Sequence, residues 1–172
     1  EHYDHIRGAK TVADDGAIIV SQENCLDTFD YVPDPDAIPP DVTYADRFTV
    51  PLEGTQIELL YFGRNHGDCM TITHFPEHRM IFMVDMLTDK SLPFGSMPDS
   101  YPGDMVRTLA EVEKLDFDRI ARGHRSPVVD RAVLDGTLGY WSDLMTTVKA
   151  ALDAGTPAIE VMQTLELPKY RA

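Results

Sequence analysis

The sequence predicts a mixed α/β (α+β) fold. Short runs rich in β-branched residues indicate strands, and an amphipathic segment that follows them indicates a helix packed on a sheet. Helical periodicity in the last forty or so residues predicts further helices. At 172 residues with 43% hydrophobic content, the chain has the size and composition of one globular unit, so we expect residues 1–172 to form a single domain.

The first half of the chain predicts a helix followed by strands. AKTVADDG, residues 9–16, predicts a helix, and the β-branched run Ala17–Val20 after it predicts a buried strand. Residues 31–46 are rich in proline and aspartate, which favours a surface loop. Three strand-like runs follow, FTVPLEGTQIELLYFG, MTITHFP and RMIFMVDML, separated by turn residues. We expect them to be consecutive strands of one sheet.

The second half predicts helices on either side of one more strand. A loop at residues 91–103 leads into DMVRTLAEVEKL, which has helical apolar spacing with Asp104 as the expected N-cap. FDRIARGH then predicts a short strand that ends at Gly123. Two tail helices are expected within residues 132–167, the second with Thr156 as its N-cap and Pro157 at its first position.

Charge and composition limit the classes of partner. The formal net charge is −14, from 29 acidic and 15 basic residues, and it repels both nucleic acid and anionic membranes. No apolar run approaches the roughly 20 residues that cross a bilayer, and no signal-like segment precedes the first motif. We therefore expect a small-molecule substrate. Cytoplasm and periplasm both stay open as compartments. Cys25 and Cys69 lack a Cys-x-x-Cys spacing, and we expect both to be free thiols.

Ligand-type side chains recur where the predicted strands end. Four of the six histidines and two aspartates are of this kind: His66, Asp85 and His124 end predicted strands, and His2, Asp4 and His5 precede the first predicted helix. Residues at one set of strand ends project into the same crevice, so we expect these six side chains to converge on one site. His74 and His78 match no such pattern and are expected to be a strand residue and a turn residue.

Four segments carry a resemblance to a known family. HYDHIRG, GRNHGD, IFMVDML and ARGHRSP resemble, in order and in approximate spacing, the metal-binding motifs of the metallo-β-lactamase superfamily. The resemblance implies an αββα sandwich, two sheets packed face to face with helices outside and a dinuclear metal site along one edge. The first histidine of the opening signature would precede Glu1. The chain is therefore expected to be the larger, C-terminal part of the domain, without its N-terminal strands, and to need the missing N-terminal segment of the same protein as a partner.

The same resemblance assigns a role to each ligand. It implies that His2 and His66 bind the first metal and that Asp85 bridges both metals. Asp4, His5 and His124 would bind the second. Imidazoles and carboxylates suit Zn²⁺, so two zinc ions per site are expected, with iron or manganese left open. A metal pair lowers the pKa of a shared water, which gives a hydroxide nucleophile that Asp4 would orient. No organic cofactor is implied.

The bridging ligand indicates the substrate class. By resemblance, true β-lactamases tend to place Cys or Ser at the position of Asp85, whereas lactonases, glyoxalase II-type thioesterases and many broad hydrolases carry Asp. The glyoxalase type adds a basic C-terminal region, for which this acidic tail offers only Lys149, Lys169 and Arg171. We therefore expect hydrolysis of an ester, lactone or related acyl substrate, with β-lactamase and glyoxalase II-type activity as alternatives.

Other interpretations stay open at this point. A mononuclear iron dioxygenase of the same fold would lack part of the second-metal set, and a non-catalytic fragment would only contribute a surface or half-site. A homodimer is compatible with the sequence. The loops at residues 31–42 and 92–103, with Phe94, Met97 and Tyr101, either wall an apolar pocket or simply connect elements.

Overall fold

The strands form two sheets in the computed structural model, which describes residues 2–31, 34–89, 91, 99–124 and 128–171. One sheet pairs two parallel strands, β1 (Val20–Gln22) and β2 (Val42–Tyr44). The other has six strands in sequential order: β3 (Arg47–Leu52), β4 (Thr55–Leu60), β5 (Ile72–Phe75), β6 (Met80–Met83), β7 (Arg119–Arg122) and β8 (Val128–Asp130). The predicted mixed α/β class is confirmed. The three strand-like runs lie side by side in one sheet as predicted, but the first run forms the two strands β3 and β4 and not one.

The helices lie between and after the strands. They are α1 (Tyr3–Ile6), α2 (Ala9–Asp14), α3 (Cys25–Tyr31), α4 (Pro102–Val112), α5 (Ala132–Asp153) and α6 (Ala158–Thr164), with short 3₁₀ turns at Pro76–His78 and Pro168–Tyr170. None of the helices within the described residues has both the length and the apolar content that crossing a membrane requires.

Strand direction places several strand ends at one edge of the larger sheet. β3 to β6 are antiparallel neighbours, so β4 and β6 run in the same direction. The crossover through α4 makes β7 parallel to β6, with Met83 opposite Arg122. The carboxyl ends of β4, β6 and β7 therefore lie at the same edge, and the loops that follow them share one rim.

The main core lies where the six-stranded sheet packs against α4 and α5. It is formed by Leu60, Ile72, Ile81, Met83, Met86, Met105, Leu109, Val112, Phe117, Ile120, Leu134 and Trp141, all nearly inaccessible to solvent. On α4 the buried positions Met105, Leu109 and Val112 repeat at helical spacing, as the sequence predicts. Truncating one such side chain to Ala lowers the free energy of unfolding by roughly 2–5 kcal/mol. The buried face of α4 therefore contributes strongly to the stability of the sheet whose edge forms the rim.

The first predicted strand is shifted in the structure. β1 begins at Val20 and not at Ala17, and Ile18 is 70% exposed. The carboxylate of Asp41 accepts a hydrogen bond from the backbone N–H of Ile19 at 2.8 Å, which ties the chain to Asp41 just before the strand ladder begins. The strand that pairs with β1 lies inside the predicted loop, and α3 was not predicted.

Both predicted N-caps are wrong. α4 begins at Pro102, a residue type that suits the first turn because it lacks the N–H that would have no partner there. Asp104 lies within that first turn, where its carboxylate is 3.3 Å from Arg64 and 3.1 Å from Arg107. α6 begins at Ala158 with Pro157 at the N-cap position, so Thr156 precedes the cap.

The prediction of free thiols is also wrong, because Cys25 and Cys69 form a disulfide across 44 positions of sequence. It joins the first turn of α3 to the loop after β4. Asn24 makes a parallel connection, donating hydrogen bonds to the hydroxyl of Tyr61 and to the backbone oxygen of Asp68. Sequence spacing carries no information about this approach, since it depends on how the two segments pack.

Reduction of this disulfide is expected to lower the free energy of unfolding by about 2–4 kcal/mol, because the closed loop no longer restricts the unfolded chain. Urea denaturation of the oxidised and the reduced protein measures the difference. The control is a Cys25→Ser, Cys69→Ser double variant, which reductant should leave unchanged. Equal unfolding midpoints for oxidised and reduced parent protein would contradict the expectation.

Candidate metal centre

Sheet topology brings three of the candidate ligands to one rim. Asp85 follows β6 by two residues, and His124 follows the parallel neighbour β7 by two residues. His66 lies in the loop after β4, six residues beyond Leu60. Because these strands end at the same edge, the three side chains meet although they are distant in sequence.

The remaining three candidates come from the first turn of the chain. The backbone N–H of His5 donates to the backbone oxygen of His2 at 3.0 Å, which closes a helical turn around Asp4. Asp4 and His5 therefore lie inside the short helix α1. The sequence predicted that they would precede the first helix, which was expected only from residue 9. The turn places all three side chains beside the rim.

The carboxylate of Asp85 lies at the centre of the cluster. Its oxygens are 2.9 Å from Nε2 of His5 and 3.1 Å from Nε2 of His124. Nδ1 of His2 and Nε2 of His66 each lie 3.9 Å away. Only 13% of the Asp85 side chain is exposed. Four imidazoles therefore surround one nearly buried carboxylate, and the structure brings all six predicted residues together.

Asp85 also has an unusual backbone. Its φ is 59°, in the left-handed region that non-glycine residues rarely adopt. This conformation turns the chain sharply after β6 and directs the side chain towards the histidines. Strain of this kind costs of order 1–3 kcal/mol and persists where the surrounding structure fixes it, often at functional sites.

The six side chains form two groups with the spacing of metal ligands. One group is His2, His66 and Asp85, and the other is Asp4, His5 and His124; within each, the donor atoms lie within 4.8 Å of one another. Imidazole nitrogens and carboxylate oxygens are the donors that zinc and other transition metals take in proteins. The first group is the more enclosed, since the side chains of Asp4 and His124 are 59% and 56% exposed. The donor set fits a pair of metal ions.

The loop that carries His66 is fixed by Asn65, which is fully buried. The side-chain oxygen of Asn65 accepts a hydrogen bond from the backbone N–H of His66 at 2.6 Å. Its amide nitrogen donates to the backbone oxygens of Gly63 and Met70, at 3.1 and 3.0 Å. The side chain of Asn65 thus connects three points of the loop by hydrogen bonds and fixes the backbone position of His66.

Asp99 belongs to the site as well, although the sequence pattern did not indicate it. Its carboxylate oxygen lies 2.6 Å from Nε2 of His2. Partial burial raises the pKa of the Asp99 carboxyl, but its hydrogen bond with His2, a backbone hydrogen bond and the charges of His2 and His66 outweigh that effect and bring the pKa below its usual value. Asp99 is therefore ionised at neutral pH. Its only sequence signal is a turn-like Pro-Asp-Ser in a loop, which carries no periodicity.

The other residues singled out in the sequence lie away from the cluster or outside the described residues. His74 is a buried residue of β5 whose Nδ1 lies 2.8 Å from Glu58, and His78 is an exposed turn residue, as expected for both. Phe94 and Met97 lie outside the described residues. Among the tail cations, Lys169 is paired with Asp143 at 2.9 Å.

A mostly apolar cavity of about 460 Å³ is lined in part by His5. Its walls come from α2, β1 and α3, and residues Ile38 and Pro40 of the Pro-rich loop complete the lining. Tyr101 of the second loop lies instead under the guanidinium of Arg64, whose carbon is 4.4 Å from the ring centre.

Gly123 allows the close approach of two segments at the rim. A Cβ atom at this position would stand 2.8 Å from Cγ1 of Val84 and 3.3 Å from Cε1 of His5. Val84 precedes Asp85, and its β-branched side chain is stiff at χ1. The absence of a side chain at Gly123 is therefore what lets the Asp85 turn and His5 pack together.

Gly123→Ala is expected to destabilise the protein by about 1–3 kcal/mol, because the added methyl group overpacks against Val84. Adding Val84→Ala should restore part of the loss, and urea denaturation measures both steps. Gly136→Ala, in α5 with open space around the new Cβ, is the control and should stabilise by about 0.5–1 kcal/mol. A Gly123→Ala variant as stable as the parent would show that a methyl group fits beside Val84 without strain.

Comparisons with known proteins show which solved structures have a similar fold. No family model matches the chain. The chain aligns with a metallo-β-lactamase from Pontibacter korlensis at 20% identity and a TM-score of 0.71, covering 82% of this chain and 65% of that one. It aligns with the DIM-1 metallo-β-lactamase at 17% identity and a TM-score of 0.69, covering 83% and 64%. For the metallo-β-lactamase IND-7 the values are 11%, 0.68, 82% and 64%.

One curated relative also matches. It is the α subunit of 2,4-dinitroanisole O-demethylase from Nocardioides sp. strain JS1661, at 23% identity over 171 residues. The match covers 99% of this chain and 51% of the relative, so the chain spans about half the length of that protein and less than two thirds of the solved structures. The six-stranded sheet packed against α4 and α5 and these structural matches confirm the predicted fold: the chain has the fold of the metallo-β-lactamases.

Proposed function

We propose that the chain forms the greater part of a metal-dependent hydrolase that uses two metal ions on an ester, lactone or related acyl substrate. The observation that carries the proposal is the position of Asp85, whose carboxylate lies within 4 Å of histidines from both ligand groups. One carboxylate in contact with two adjacent ligand sets suits a pair of divalent ions that share it.

The residues divide between the two ions as follows. His2 and His66 would hold the first ion, Asp4, His5 and His124 would hold the second, and Asp85 would be shared by both. Zinc suits this donor set best. A bound metal pair supplies a Lewis acid for the substrate carbonyl and lowers the pKa of water at the site to about 7.

We assign to Asp4 the role of orienting the attacking water and accepting its proton. Its side chain is 59% exposed, and one of its oxygens lies 3.3 Å from Nε2 of His124 and 3.4 Å from Nε2 of His5. The carboxylate therefore faces both solvent and the ligand cluster. In hydrolysis, Asp4 orients the attacking water by accepting its hydrogen bond and takes up a proton. That proton passes to the leaving oxygen when the acyl C–O bond breaks.

The substrate class rests on the kind of bridging residue and on the tail. Aspartate at the bridging position resembles lactonases and esterases more than β-lactamases. A glutathione thioester is less favoured, because Lys149, Lys169 and Arg171 each pair with a carboxylate of the tail or of α5: Asp153, Asp143 and Glu166.

A second candidate comes from the curated relative. The name of that protein states O-demethylation of 2,4-dinitroanisole, and the match extends over 99% of this chain. Cleavage of an aryl methyl ether also releases a stabilised oxyanion. Such a compound therefore belongs in the same assay panel as acyl substrates.

In a panel of nitrophenyl esters, aliphatic lactones, a glutathione thioester, a cephalosporin, a carbapenem and 2,4-dinitroanisole, the highest kcat/KM is expected for an ester or lactone. The margin over the β-lactams should be at least about tenfold, or about 1.4 kcal/mol in the transition state. Faster turnover of a β-lactam would overturn the substrate class. Turnover of 2,4-dinitroanisole alone would favour the second candidate.

Asp85→Ala is expected to lose at least one metal ion and most activity, because the shared carboxylate offsets the mutual repulsion of two cations in a poorly screened cleft. Metal analysis of the purified protein and kcat/KM are the measurements. His78→Ala, at an exposed turn, is the matched control and should change stability by no more than about 0.5 kcal/mol.

Metal content also separates the proposal from its rivals. About two zinc ions per chain support the hydrolase, one iron would indicate a dioxygenase of this fold, and no bound metal would indicate a non-catalytic part. An Asp85→Ala variant that keeps two ions and parental turnover would show that Asp85 is not the shared ligand.

A further inference from the structure

We propose that Asp99 is a positioning residue that holds His2 in the orientation and tautomer required to bind the first metal ion. The inference deepens the proposed function and rests on it. It concerns a residue that the six-ligand pattern does not include, and it predicts that one of the two ligand groups depends on an outside carboxylate.

The two nitrogens of His2 face different partners. Nε2 lies 2.6 Å from Oδ2 of Asp99, whereas Nδ1 faces the ligand cluster at 3.9 Å from Oδ2 of Asp85. A neutral imidazole carries one proton, and a carboxylate oxygen accepts a hydrogen bond from an N–H group. Of these two contacts, only that between Nε2 and Asp99 has hydrogen-bond length. The geometry therefore favours the tautomer with its proton on Nε2, donated to Asp99. The lone pair is left on Nδ1, on the side of Asp85.

This arrangement is the one that supports a metal-binding histidine. Ligating imidazoles generally donate their second N–H to a carboxylate or carbonyl, which fixes the ring and raises its basicity. Asp99 contacts the nitrogen on the far side of the ring, and the ligand group around the first site consists of His2, His66 and Asp85. Asp99 therefore acts through His2 and does not bind the metal.

Asp99 is held by the same loop that positions His66. Two residues after Asp99, the backbone N–H of Tyr101 donates to the backbone oxygen of Asn65 at 2.8 Å. The guanidinium of Arg64 lies over the ring of Tyr101. The side-chain oxygen of Asn65 in turn accepts a hydrogen bond from the backbone N–H of His66. One scaffold thus locates both imidazoles of the first group, whose ring centres are 5.1 Å apart.

The test combines a tautomer measurement with metal affinity. In metal-free protein, at a pH where the nitrogen-15 NMR spectrum itself shows a neutral imidazole, His2 should carry its proton on Nε2 in the parent and should be a mixture of tautomers in Asp99→Ala. Zinc titration against a chromophoric chelator should show the first site weakened about 10–100-fold in Asp99→Ala, with the second site unchanged. Asp99→Asn keeps the shape without the charge and should fall between the parent and Asp99→Ala.

Asp104→Asn is the matched control. Asp104 is a nearby carboxylate that pairs with Arg64 and Arg107 and contacts no ligand histidine among the described residues. This variant should keep the parental tautomer of His2 and both metal affinities. If Asp99→Ala proves unfolded by circular dichroism, Asp99→Asn decides by the same two measurements.

Several results would overturn the proposal. An unchanged His2 tautomer with parental zinc affinity at both sites would remove the positioning role, while leaving the proposed hydrolase intact. Equal weakening of both sites would indicate a general structural effect. A zinc-bound structure with an Asp99 oxygen in the coordination sphere would make it a ligand instead. If the parent protein itself binds no metal, the proposed function fails and this inference fails with it.

Discussion

The contact of one nearly buried carboxylate with four imidazoles is the interaction on which the site depends. Removing a carboxylate from water is costly unless it is paired, and neutral histidines offset only part of that cost. A cation in each ligand group would offset the rest, because it interacts with Asp85 in a region where water screens charges poorly. The cluster is best understood as a set of donors arranged for positive charge.

Backbone topology makes this arrangement possible with little loss of conformational freedom. Asp85 and His124 stand at equivalent positions beyond two parallel strands whose register is fixed by the ladder from Met80 to Met83. Neither side chain needs a long loop to reach the site. His66 does need one, and the buried amide of Asn65 supplies the hydrogen bonds that a flexible loop would otherwise leave unmade.

Periodicity and strand ends predicted β3 to β7 of the larger sheet, helix α4 and the meeting of the six candidate ligands, since each depends on backbone direction that the sequence pattern encodes. Strand β8 was not predicted. Contacts between segments that are remote in sequence were not predictable in this way. The Cys25–Cys69 disulfide and the hydrogen bond between Asp99 and His2 arise from how loops pack. The start of β1 at Val20 was missed for a related reason, because Asp41 competes for the backbone of Ile19.

The left-handed backbone of Asp85 has a consequence for how this site can evolve. Aspartate, asparagine and glycine tolerate such a φ, whereas most other residues lose about 1–2 kcal/mol of stability in adopting it. Exchange of Asp85 for Cys or Ser would therefore change both a proposed metal ligand and the stability of the turn that presents it. The backbone conformation therefore limits which side chains a single substitution can introduce at position 85 without loss of stability. An exchange to a residue that avoids the left-handed region would need a compensating change in the turn.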